Sequence, residues 1–173
     1  MNPLKLSFLI LLLNSLNVMA KTIESPADIV DKFLSEMKVK NYYEAAEYVA
    51  KSELLWLKEA TKPLLYKKSF YEDFELEPLG EKDIKEILEN DAFEFWSQLT
   101  WETRGKNFGL YEPENILGFI KEKEDIAHVV VRDLIYEERD PVVYTLVLES
   151  KQWRVKLPRI FKGTVYIYNE TYK

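Results

Sequence analysis

Apolar positions along this chain change their spacing about two thirds of the way through, from a helical interval to alternation. In "SPADIVDKFLSEMKVK", Ile29, Val30, Phe33, Leu34 and Met37 recur three and four residues apart, which predicts an amphipathic helix. Ser25 stands as its N-cap, Pro26 at the first helical position and Asp28 near the positive end of the helix dipole. Asn41 with Glu44 repeats the cap-and-box pattern, and Tyr42, Ala45, Ala46 and Val49 form a second stripe. Ser52 is read as the cap of a third run, "ELLWLKEA", which Pro63 ends shortly afterwards.

Residues 63 to 80 mix aromatics with charges and read as a loop around a short strand, with Pro78 and Gly80 punctuating its end. "EKDIKEILENDAFEFWSQLT" returns to helix, with Ile84, Ile87, Leu88, Phe95 and Leu99 expected on one buried face. Gly105 and Gly109 mark its exit, and residues 104 to 114 read as a loop or an irregular strand. "IAHVVVRDLIYEE", "VVYTLVLES" and "QWRVKLP" then predict strands, being rich in Val, Tyr, Ile and Thr. Short turns at Asp140-Pro141 and Ser150-Lys151 favour antiparallel pairing. "TVYIY" is expected to add an edge strand. In the last hairpin, Trp153, Val155 and Leu157 share a face, which predicts a wall with Trp153 packed inward near Phe33 and Met37. Helices first and antiparallel strands last give an α+β fold, with N-terminal helices packed on a sheet.

The first 20 residues change the picture of the N-terminus. Lys5, an apolar run from Leu6 to Leu13 and the sequence Val18-Met19-Ala20 predict a signal peptide cleaved after Ala20. The apolar run is short of the roughly 20 residues a membrane span needs, so no stable span is expected after cleavage. The expected arrangement is a leader at 1–20 and a single domain at 21–173, secreted or periplasmic. A length of 173 residues, 47% hydrophobic and 14% aromatic, suits one packed domain. Cleavage removes one cation and leaves the chain more acidic than its formal −6, which argues against nucleic acid as a partner. There is no cysteine, so disulfides, thiolate chemistry and Cys-type zinc sites are excluded. A Cys-free exported domain fits a bacterial periplasm. The Asn169-Glu-Thr triplet accepts a glycan only in a eukaryotic source and is treated as chance.

Candidate chemistry is sparse. His128 is the one histidine, and its place opposite Ala127, Val129 and Val131 puts it on the outer sheet surface, away from any enclosed site. "YEDFELE" is the densest acidic run but lacks the Asp/Asn-Gly spacing of a calcium loop, so no metal site is expected. No Gly-x-Ser-x-Gly, Walker-type or dinucleotide motif occurs, and no cofactor is expected. Tyr42, Tyr43, Trp56, Trp96 and Trp101 are the candidates to line a pocket for a flat or apolar ligand, against the plainer reading of core.

The amphipathic first helix, the "NYYEAAEYV" helix, the segment "ILGFIKEKEDIAHVVVR" and strands closing on Trp153-Arg154-Val155 together resemble the NTF2-like superfamily, across roughly residues 26 to 158. The resemblance implies a curved antiparallel sheet wrapped round helices into a cone with an apolar pocket. Its members include isomerases, dehydratases, cyclases and many binding modules, so fold alone does not assign function. In the isomerase branch a buried tyrosine and an aspartate carry the chemistry. Tyr42 or Tyr43 is near the right region, but no aspartate here sits in a matching motif. The leading expectation is a non-enzymatic exported module that binds a small apolar ligand or a protein partner, with a homodimer through the outer sheet face left open. The alternatives are an isomerase, lyase or cyclase using the cone pocket, and an inhibitor or immunity-like binder.

Overall fold

The structure, a computed structural model, describes residues 23–102, 111–132 and 141–173. The expected leader, most of the 104–114 loop and the second half of "IAHVVVRDLIYEE" lie outside these residues, as does the side chain of Trp101.

Helix α1 (Pro26–Lys38) forms as its sequence dictates. The Ser25 hydroxyl accepts from the Asp28 N–H, and the Asp28 carboxylate accepts from the Ser25 N–H, at 3.2 and 3.0 Å. Its stripe from Ile29 to Met37 is buried. The second stripe also faces the core, on a short helix α2 (Tyr42–Ala45) continued by a 3-10 turn (Ala46–Tyr48). Asn41 holds the N-cap position, but its side chain donates to Glu36 at 2.8 Å instead of capping.

Three readings of the helical half change. Helix α3 (Lys51–Leu65) starts from Ala50, with Ser52 inside its first turn, and runs two residues past Pro63. The proline removes one hydrogen bond to the preceding turn, but its fixed φ is compatible with helix, so the chain keeps helical form for two more residues. The expected loop with a strand contains instead helix α4 (Lys68–Asp73), anchored by the buried Phe70 and Tyr71. The single helix expected from Glu81 is two, α5 (Glu81–Glu86) and α6 (Glu89–Ser97), with Ile87 extended between them. The Asp91 carboxylate accepts the Leu88 N–H at 2.9 Å and starts α6 afresh. That break resets the helical phase. Leu88 is exposed, while Ala92, Phe93 and Trp96 take the buried face.

Four strands form one antiparallel sheet in the order β1-β2-β3-β4: β1 (Ile116–Lys121), β2 (Ile126–Val131), β3 (Val142–Glu149) and β4 (Gln152–Val155). Register aligns Phe119, Val129 and Tyr144 in one row and Ala127, Leu146 and Val155 in another. The inner face carries Ala127, Val129, Tyr144, Leu146, Trp153 and Val155, all buried, and β4 lies against α1. The hairpin is thus a wall, with Trp153 turned inward. Phe33 of α1 meets Tyr144 edge-on at 6.2 Å and Phe93 at 6.3 Å, tying both layers through aromatic contacts. From opposite edges, Lys121 Nζ reaches to 5.7 Å from the Trp153 ring centre. The β3–β4 turn places Ser150 and Lys151 at φ 49° and 65°, the left-handed backbone a two-residue hairpin demands. The outer edge of β4 is closed by α3: the Ala50 N–H donates to the Val155 carbonyl at 2.9 Å.

"TVYIY" does not make a strand. It lies in helix α7 (Arg159–Thr171), which buries Phe161, Thr164 and Val165. β-Favouring residues yield here to a helical set of contacts. Phe161 stacks on Phe93 at 6.1 Å, and Tyr168 meets Trp96 at 5.6 Å. The architecture is α+β, with seven helices among the described residues packed on the antiparallel sheet.

Candidate functional site

Four of the five aromatic candidates divide between core and surface. Tyr42 and Trp96 are buried. The Trp96 indole N–H donates to Thr61 Oγ1 at 2.8 Å, and Thr61 in turn donates to the Leu57 carbonyl at 2.6 Å. Tyr43 is 37% and Trp56 40% exposed, with Lys162 Nζ 5.6 Å from the centre of the Trp56 ring. Trp101 belongs to a π turn (Gln98–Glu102). Tyr42, Tyr43, Trp56 and Trp96 stand in the walls of none of the three clefts described below.

Polar groups inside the fold are engaged with one another. Ser97 donates to the Phe93 carbonyl at 2.7 Å and Thr100 to the Trp96 carbonyl. Glu53 Oε2 and Lys162 Nζ approach to 2.5 Å, an ion pair between α3 and α7 without the alignment of a hydrogen bond. The buried Tyr111 hydroxyl donates to Asp31 Oδ1 at 2.6 Å. Burial pushes that phenol far above its ordinary value, and the Asp31 carboxylate adds to the shift. Lys38 Nζ donates to the Tyr111 carbonyl at 2.9 Å and to Glu112 at 2.8 Å. These contacts clasp the approach to β1 onto α1. Tyr111 escaped the sequence reading because it stands alone in a segment with no period.

The outer sheet face is a different surface. Ile120 and Val143 are 65% and 52% exposed there, beside half-buried Ile126, Val130 and Val147. Alternation on β2 puts His128 on this side, as its neighbours imply. Its ring lies 3.2 Å from Thr145 Oγ1 through Nδ1 and 2.7 Å from Glu122 Oε2 through Nε2. The hydrogen bond from His128 holds the Glu122 carboxyl below its ordinary value. Gly118, at φ 149° beside a register shift, has no atom within 4 Å of where a Cβ would stand, so this edge of the face is open. Charges around the patch are mixed, with Glu122 and Glu149 set against Arg132, Arg154 and Lys156.

At the helical end, two clefts flank the loop that joins α4 to α5. One, of about 470 Å³, has walls of Leu65, Tyr66, Leu79 and Ile84 with Glu81 and Lys68 at its margin. The other, of about 400 Å³, shares Leu65 and Leu79, adds Ile87 and Phe95, and carries the carboxylates Asp83, Glu86 and Asp91. A third groove of about 320 Å³, beside the β3–β4 turn, is polar, with Glu47 accepting from Asn90 at 2.8 Å and Glu149 accepting from the Lys51 N–H at 3.0 Å.

Among the described residues no three His, Cys, Asp or Glu side chains are grouped to hold a metal ion, and no helix is long and apolar enough to cross a membrane. Comparison with protein-family models, curated proteins and solved structures returns no match to this chain.

Proposed function

We propose that the chain is an exported, NTF2-like binding module without catalysis of its own, and that it associates with a second copy of itself through the outer face of its sheet. The observation that carries this reading is the apolar patch around Ile120 and Val143 on a face that no described helix covers. Large apolar side chains left together in the open mark interaction surfaces. The balance of charge favours a like partner: on an acidic chain, this face has three cations and two carboxylates around it, so two copies meet there without strong repulsion. A two-fold contact asks for a self-complementary patch, and an apolar one fits itself. A small apolar ligand inside the fold has less support, because Trp96, Tyr111, Phe93 and Phe161 already fill the interior with their side chains.

Sedimentation velocity of the exported protein tests the association. The expected result is a dimer that Ile120→Asp with Val143→Asp converts to a monomer of unchanged circular dichroism. A wild-type protein that sediments as a monomer at every concentration overturns the reading. Intact-mass analysis of the same preparation is expected to place the first residue at Lys21.

A further inference from the structure

The negative charge of this protein is concentrated in one segment. Residues 72 to 91 hold nine Asp and Glu against two Lys, a formal −7 in a chain whose total is −6. The rest of the chain is close to neutral. Four carboxylates of the segment, Glu81, Asp83, Glu86 and Asp91, stand in the walls of the two apolar clefts at the helical end. Leu79, 45% exposed, lies between the clefts and belongs to both walls, with Leu76, Leu88 and Tyr66 also exposed nearby in sequence. The neighbouring lysines do not cancel this field. Lys68 pairs with Glu72 at 2.8 Å and Lys85 with Glu81 at 2.5 Å, while Glu75, Glu77, Asp83 and Glu86 have no cation on them among the described contacts.

We propose that these twin clefts dock a basic, amphipathic segment of a partner protein, its apolar side chains seated against Leu65, Leu79, Ile84 and Ile87 and its lysines or arginines against the carboxylate rim. The apolar walls supply contact area, and the rim supplies selection by charge. An acidic partner, including a second copy of this chain at this same surface, meets repulsion. The site is separate from the sheet face and does not rest on the association proposed there. A peptide longer than one cleft spans both, because Leu79 is their common wall.

The test uses the full mature chain and a fluorescent peptide of alternating lysine and leucine, followed by anisotropy. Oligolysine of equal charge and a glutamate–leucine peptide serve as comparisons. The expected result is saturable binding of the lysine–leucine peptide, with oligolysine at least about tenfold weaker and the acidic peptide silent. Leu79→Ser and Glu86→Lys, both at exposed positions, are each expected to weaken binding about tenfold with circular dichroism unchanged. Equal binding of oligolysine to the unaltered protein shows charge attraction alone and overturns the proposal, whatever the variants do. Absence of binding, or folded variants that bind as the wild type does, also overturns it. Sedimentation of the same samples reads the sheet association separately, so failure of one does not imitate failure of the other.

Discussion

Replacing Thr61 by valine isolates the value of one buried hydrogen bond. Thr61 lies on α3 with no exposed surface, and its hydroxyl oxygen is the acceptor for the indole N–H of Trp96, itself fully buried on α6. Valine keeps the shape and removes that acceptor. The Leu57 carbonyl, which receives the Thr61 hydroxyl, still has its place in the helix ladder and loses little. The indole N–H has no water to turn to, and an orphaned buried donor costs about 1–3 kcal/mol. Thr61→Val should therefore destabilise the domain by about 2 kcal/mol, a loss of about 4–8 °C in Tm for a chain of this size. Thr61→Ser keeps the hydroxyl and deletes a methyl, for about 1 kcal/mol. Serine should thus be the milder change, although it alters the volume more. Urea unfolding followed by far-ultraviolet circular dichroism reads both without depending on indole fluorescence. In a Trp96→Phe background the Thr61→Val effect should shrink to about 0.5 kcal/mol, since the donor is gone. A Thr61→Val protein within 0.5 kcal/mol of wild type, or a serine variant less stable than the valine one, would falsify the reasoning.

Two further outcomes follow from the backbone and from tyrosine ionisation. Ser150 and Lys151 hold positive φ in a hairpin turn that asparagine and glycine adopt with less strain, so Ser150→Asn with Lys151→Gly should raise the urea midpoint, by about 1 kcal/mol of stability; an unchanged midpoint means the turn is not strained. Burial, with the hydrogen bond to Asp73 second, pushes the Tyr172 phenol up to about 12, and Tyr111 is raised as well. A folded state that binds the phenolic proton more tightly keeps that stability below the unfolded value near pH 10 and loses it as pH rises toward 12. Stability should fall across this window, and Tyr172→Phe should flatten the fall; a variant curve parallel to wild type shows that Tyr172 does not contribute.

Helix α1 was legible in full, because cap, first-turn proline and apolar stripe all agree on one answer. Strands β2 to β4 were legible through alternation, and the outward side of His128 came with them. The C-terminal helix was not. Its Thr-Val-Tyr-Ile-Tyr stretch favours a strand locally, and only the seats for Phe161 and Val165 against the other helices decide otherwise. The break between α5 and α6 was hidden for a related reason. Ile87 and Leu88 fit a continuous apolar face, and the capping role of Asp91 has to outweigh that fit. For the helical-end surface, the run "YEDFELE" was visible as charge, but the apolar walls beside it come from α3, α5 and α6. No local reading of an acidic run brings Leu65 and Phe95 to it.

The bond from the Ala50 N–H to the Val155 carbonyl carries a consequence for the order of assembly. It joins residues about a hundred positions apart, so forming it requires closing a loop that holds most of the domain. The first three helices leave the ribosome long before β4 exists, and the start of α3 finds its partner only when the last strand is made. The export proposed above would benefit from such a delay. The start of α3 therefore lacks its partner on β4 until synthesis is nearly complete, and this edge of the sheet closes only when that strand arrives.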